Sequence, residues 1–218
     1  MRPRNIRIID LGLTSDFANT STFVYTLLGT LGTQYGSSPL VVAELVRTDQ
    51  TERLIEALAG PADVVHIVSH GWRDQDGSGS RSAATLGSDL NDVSWTVAEL
   101  ATALHKRGQP IGANCVYIDA CESFSREFRR AIRDCIGDTT TYVGCRGSNG
   151  WFDATTYASS FYPALLRNKA SGTAFADRAL EAGESAAHAF SHLVQRRCPF
   201  DVIQLVPTRQ ARGAFTNA

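Results

Sequence analysis

VVHIVSHG, residues 64–71, and CVYIDACES, residues 115–123, are the two stretches that decide the architecture. Each opens with a nearly unbroken run of apolar and β-branched side chains and ends abruptly in small and polar ones. Strands buried on both faces have that composition, whereas a strand with one wet face alternates. The pair is therefore expected side by side at the centre of a parallel sheet. Outward from them, further β-rich runs occur at 6–11, 40–46, 140–144 and 201–206. Segments of helical period separate the runs, at 20–31, 51–58, 96–106, 124–136, 154–167 and 174–194. This alternation predicts an α/β protein with a six-stranded, mostly parallel sheet and helices on both of its faces.

In the fourth helical segment Phe124, Phe128, Ile132 and Ile136 recur every four residues and offer one greasy stripe to the sheet. Arg126, Arg129, Arg130 and Arg133 fall on other faces and read as solvated surface. Residues 74–92, rich in Gly, Ser and Asp and without helical period, read as a mobile surface excursion that includes a short hairpin. No long linker interrupts the chain, so one domain over residues 1–218 is expected.

The 218 residues hold 21 basic and 22 acidic side chains, a net charge of -1. No whole-molecule positive field exists to gather nucleic acid or anionic lipid, so neither is an expected partner. The first residues lack the apolar stretch of a signal peptide, and no segment approaches the length of a membrane-spanning helix. The five cysteines, Cys115, Cys121, Cys135, Cys145 and Cys198, are odd in number and contain no C-x-x-C pair. That pattern fits neither a disulfide framework nor a zinc ribbon, and a reducing, cytoplasmic location follows as the expectation. Neither G-x-G-x-x-G nor the phosphate-loop pattern occurs, and there is no G-x-S-x-G elbow. His66 and His70 share a strand face without a visible third ligand, so no metal site is expected and His66 reads as a core histidine.

In an open α/β sheet, ligands bind beyond the carboxyl ends of the strands. His70 and Cys121 stand there, one after each central strand. A thiol becomes nucleophilic when its thiolate is favoured, which a nearby imidazolium and the start of a helix both promote. A helix beginning near residues 123–124 is expected to aim its free N–H groups at Cys121. The amides of Cys121 and Gly71 are candidates for an oxyanion hole, and Gly71 leaves room for a substrate carbonyl. His70 then serves as general acid and base. A cysteine at a strand end is most often a packing residue, and the other four cysteines keep that reading. For Cys121, the His-Gly at the end of the neighbouring buried strand favours catalysis.

At these residues the sequence resembles the caspase-fold cysteine peptidases, a group that includes caspases, metacaspases, legumain, clostripain-like and gingipain-like peptidases and the bacterial CHAT-domain proteases. They share a His-Gly after one central strand and an Ala-Cys or similar pair after the next. Here the two are 51 positions apart, close to the roughly 50 of caspases. The caspase pentapeptide Q-A-C-[RQG]-G is absent, and Asp119-Ala120-Cys121-Glu122-Ser123 is closer to the legumain-like and clostripain-like versions. Residues 142–181 are similar to the second half of CHAT domains.

The resemblance implies a three-layer α/β sandwich and a cysteine endopeptidase with a Cys121/His70 dyad, without metal or other cofactor. The expected partners are a protein or peptide substrate and a regulatory protein. In metacaspases an Asp two positions before the nucleophile floors the pocket for a basic P1 side chain, and Asp119 holds that position. Asp119 equally fits a strand-end residue capping the following turn. The loop RGSNGWFD, residues 146–153, is expected to wall the same crevice through Ser148, Trp151 and Asp153. Asp153 is a second candidate for a basic P1 partner, and Trp151 fits plain packing equally well. By analogy with the bacterial members, the setting is a defence or cell-death system, and the alternative is an inactive caspase-like scaffold that binds partners.

Overall fold

The computed structural model describes residues 4–11, 18–33, 41–73, 84–87, 93–167 and 175–216. In chain order they form β1 (Arg4–Asp10), α1 (Ala18–Thr33), β2 (Val41–Arg47), α2 (Thr51–Ala59), β3 (Ala62–Val68), β4 (His70–Arg73), β5 (Ala84–Gly87), β6 (Ser94–Thr96) and α3 (Val97–Arg107). There follow β7 (Ala113–Asp119), α4 (Arg126–Cys135), β8 (Thr140–Cys145), α5 (Trp151–Arg167), α6 (Phe175–Val194), β9 (Phe200–Leu205) and α7 (Arg209–Thr216). Among the described residues the larger sheet has six strands in the order β2-β1-β3-β7-β8-β9, with β9 alone antiparallel to its neighbour. Strands β4, β5 and β6 make a small antiparallel sheet.

The two apolar runs pair as β3 and β7 in the middle of the sheet. Because strand side chains alternate, Val65, Ile67, Val116 and Ile118 join one core with Leu54 of α2, Leu100 of α3 and Phe128 of α4. Val64, Val68, Cys115 and Tyr117 join the opposite core with Leu28 of α1, Phe161 of α5 and Phe190 of α6. Helices thus cover both faces of one sheet, and each fully buried large side chain adds roughly 1.5–3 kcal/mol of burial free energy.

The helix starts and stops have local causes. Thr96 and Glu99 form a reciprocal capping box at the head of α3, and Gly108, with φ 64°, ends it. Ser125 caps α4 by accepting from the Phe128 N–H at 3.3 Å. Phe128, Ile132 and Cys135 then form the buried stripe of α4.

Three features differ from the sequence pattern. First, α4 begins at Arg126, because the Phe124 N–H is drawn to the Cys145 carbonyl at 2.6 Å and residues 120–125 stay a turn. Second, residues 84–87 of the expected mobile excursion are the buried strand β5, with Ala84 and Leu86 in the core. β5 does pair with β4 as a hairpin, while 74–83 and 88–92 lie outside the described residues. Third, α7 was not legible: RQARGAFT has no apolar period and is held by buried Ala211 and by Phe215 edge-on to His105.

Candidate active site at the tips of the two central strands

The pairing register fixes where the two candidate groups leave the sheet. Val68 of β3 lies opposite Asp119 of β7, and His70 and Cys121 each stand two residues further on. The Ser69 N–H continues the ladder to the Asp119 carbonyl at 3.2 Å. Ser69 Oγ donates to the His70 carbonyl at 2.6 Å and accepts from the Gly87 N–H at 3.0 Å, which fixes the bend into β4. The two tips then meet backbone to backbone. A Cβ built on Gly71 would lie 2.2 Å from the Cys121 carbonyl oxygen and 3.0 Å from the Cys121 nitrogen. Only glycine permits that approach. The space that the sequence reading reserved for a substrate carbonyl is filled by the chain itself. His70 and Cys121 are both half-buried at this edge.

Cys121 does not sit at a helix start. The N–H groups that follow it are already engaged: Glu122 with the Gly147 carbonyl at 2.9 Å, Ser123 with Ala120 at 3.3 Å, Phe124 with Cys145 and Ser125 with Glu122 at 2.9 Å. The aid expected from the free amides of a helix beginning near residues 123–124 is therefore corrected, since those donors point elsewhere. The Cys121 N–H has no acceptor among the described residues. Glu122 adopts φ 58°, a left-handed conformation that costs a non-glycine residue about 1 kcal/mol. Ser123 holds the turn in that shape. Its Oγ donates to the Ile118 carbonyl at 2.9 Å and accepts from the Cys145 N–H at 2.8 Å. Its own carbonyl accepts from the Tyr142 hydroxyl.

The loop after β8 closes over this turn. The Asn149 N–H points at Cys121 Sγ from 3.4 Å, and its side-chain amide donates to Asp119 Oδ1 at 2.5 Å. Asp119 is fully buried, and burial lifts its carboxyl from the ordinary 3.8 to about 7, against the opposing effect of the Asn149 hydrogen bond. Asp119 Oδ2 and Asn149 Oδ1 have no hydrogen-bond partner among the described residues. The Asp119 side chain thus faces Asn149 and does not cap the following turn. Ser148 is exposed in the same loop and Trp151, at the head of α5, is 42% exposed. Asp153 is only 7% exposed and its carboxylate is paired with Arg196 of this chain, so it is not an open partner for a substrate cation.

No known family profile and no curated protein matches the sequence. Solved structures do. A secreted clostripain-like cysteine protease from Bacteroides thetaiotaomicron, in complex with an irreversible peptide inhibitor, superposes with a TM-score of 0.58 at 12% identity over 93% of this chain. The fold is the caspase-like fold. An inactive zymogen protease of the same type from Parabacteroides distasonis matches at 0.50 and 16% identity over 88% of the chain. The Arg-specific cysteine proteinase gingipain R matches at 0.50 and 11% over 90%. The chain spans 66%, 59% and 45% of the lengths of these three proteins.

Within this caspase-like fold the remaining cysteines stand apart from Cys121. Cys115, Cys135, Cys145 and Cys198 are buried free thiols, and burial pushes each pKa up, Cys145 to about 12 and Cys198 to about 11. His66 is a core histidine: Nδ1 meets the Tyr162 hydroxyl at 2.8 Å and the ring stacks on Tyr117 at 3.9 Å. Burial lowers its pKa to about 3, which keeps it neutral. Among the described residues no cluster suits a metal ion and no helix is long and apolar enough to cross a membrane. Sequence reasoning missed Ser123, Tyr142 and Asn149. Only the position of Ser123, two residues after the cysteine, was a local signal.

Proposed function

We propose that this chain is a single caspase-like peptidase domain whose Cys121 and His70 hydrolyse peptide bonds through a thioester. The observation that carries the reading is the backbone contact of Gly71 with Cys121, which joins the histidine tip to the cysteine tip. Cys121 Sγ attacks the peptide carbonyl carbon while its proton passes to the His70 imidazole. The C–N bond then breaks, and the imidazolium returns the proton to the leaving amine. Water next gives a proton to His70 and adds to the thioester. The C–S bond breaks, the carboxylic acid leaves and the thiol is restored. The Cys121 N–H, which has no acceptor among the described residues, receives the oxyanion.

Asp119 gives the pocket its preference for Arg or Lys at P1, with Ser148 and Trp151 on the wall above it. It lies beneath Asn149 with its pKa raised to about 7, so a basic side chain reaches it by sharing or displacing that amide and pairs with it once its proton has left. The peptide inhibitor on one structural neighbour and the Arg specificity of gingipain R support this reading. The enzyme acts by limited proteolysis, in the cytoplasm of a bacterial defence or cell-death system and under a regulatory protein partner. A fluorogenic panel with Arg, Lys, Asp, Asn and Leu at P1 tests the chemistry. Arg and Lys substrates should be cleaved fastest, Cys121→Ala should abolish turnover, and Asp119→Ala should weaken the basic substrates far more than the Leu one. Turnover unchanged in Cys121→Ala removes the nucleophile. No cleavage of any peptide favours the partner-binding scaffold.

A further inference from the structure

Helix α4 carries Arg126, Arg129, Arg130 and Arg133 at the i, i+3, i+4, i+7 spacing of one helical face. All of them line one groove of about 770 Å³, whose opposite wall is residues 203–206, the end of β9 and its continuation. The arginines are therefore a stripe on one groove, opposite in effect to a scatter over the surface. None pairs with a carboxylate among the described residues. Arg126 and Arg130 are exposed. Arg129 lies over the Phe124 ring at 4.8 Å, and Arg133 Nε donates to the Val206 carbonyl at 2.8 Å. Glu127 is the one acid in the lining. This groove thus carries four positive side chains against one negative, in a chain of net charge -1.

The other wall is a sheet edge. Among the described residues β9 pairs with β8 only, so its outer side offers main-chain donors and acceptors. The geometry points to a docking site for an acidic, extended segment of a partner protein, laid along β9 as an added strand with its carboxylates against the α4 arginines. Main-chain bonds supply affinity in such strand addition, and bidentate Arg–carboxylate pairs supply the charge selectivity. A second copy of this chain fits poorly, because two-fold pairing of β9 with β9 brings two arginine stripes to one seam. A nucleic acid would meet the arginines but leave the strand edge unpaired. This site is separate from Cys121 and holds whether or not the chain is a peptidase.

Fluorescence anisotropy on the full chain tests it, with a short labelled peptide of alternating Glu and Thr that contains no basic residue to cleave. The peptide should bind, and binding should weaken as salt rises. Arg126→Glu with Arg130→Glu should raise the Kd at least about tenfold, or about 1.4 kcal/mol. Both positions are exposed, and an unchanged melting temperature would show that the double variant is folded. N-methylation of alternate peptide amides should also weaken binding, and a Lys/Thr peptide should not bind. Three results would overturn the proposal: no binding of the acidic peptide, equal binding by the double variant, or tighter binding of a single-stranded RNA of equal length. So would sedimentation showing that the chain dimerises through this face.

Discussion

Gly71 has no side chain, and that absence lets two strand tips meet at Cys121. The His-Gly and Ala-Cys pairs were legible because they follow runs too apolar to be anything but central strands. Asn149 was not, since its contacts with Cys121 and Asp119 span 28 and 30 positions and leave no local pattern. Asp119 was legible as a position, but not as a fully buried acid. Its burial has a measurable consequence. The folded chain keeps the Asp119 proton up to about pH 7, whereas the unfolded chain releases it near 3.8. Between those values the folded state binds more protons, so this residue's contribution to stability is full at low pH and is lost as pH rises to about 7. Asp119→Asn removes that loss. The Tm of the variant relative to the unaltered chain should climb steadily from about pH 4 to pH 7, and a difference flat across that range would show that the carboxyl is not buried as described.

The turn of residues 120–125 is the element that presents the thiol, and its behaviour separates it from helix α4. Sequence periodicity assigned Phe124 to the helix because it continues the stripe of Phe128 and Ile132. Long-range bonds override that propensity, as Cys145 takes the Phe124 N–H and Ser123 joins the turn to the ends of β7 and β8. Ser123→Ala leaves the Cys145 N–H buried without a partner, at about 1–3 kcal/mol of stability, and frees the turn to shift. It should lower kcat about tenfold or more while KM changes little, because a small displacement of the proposed nucleophile acts on the reacting geometry. Ser125→Ala removes only the helix cap, at about 1 kcal/mol, and should leave kcat unchanged. Equal losses of kcat in the two variants would mean that the helix, not the turn, positions Cys121.

At the scale of the whole molecule, alternating apolar runs and helical segments were enough to read the six-stranded sheet with helices on both faces, because burial on two sides leaves a plain signature in β3 and β7. Of the small sheet only a short hairpin was legible, since three- and four-residue strands carry no period, and α7 was hidden by its lack of an apolar period. The same architecture sets five free thiols in two classes. Four lie in the cores or beneath loops with pKa values raised by burial, and Cys121 alone stands half-buried at the sheet edge beside the His70 tip. The most direct measurement is the rate and site of alkylation of the intact chain by a peptidyl electrophile with Arg at P1, mapped by mass spectrometry. The account predicts one adduct, on Cys121, formed far more slowly in His70→Ala. An adduct on another cysteine, or equal rates with and without His70, would contradict it.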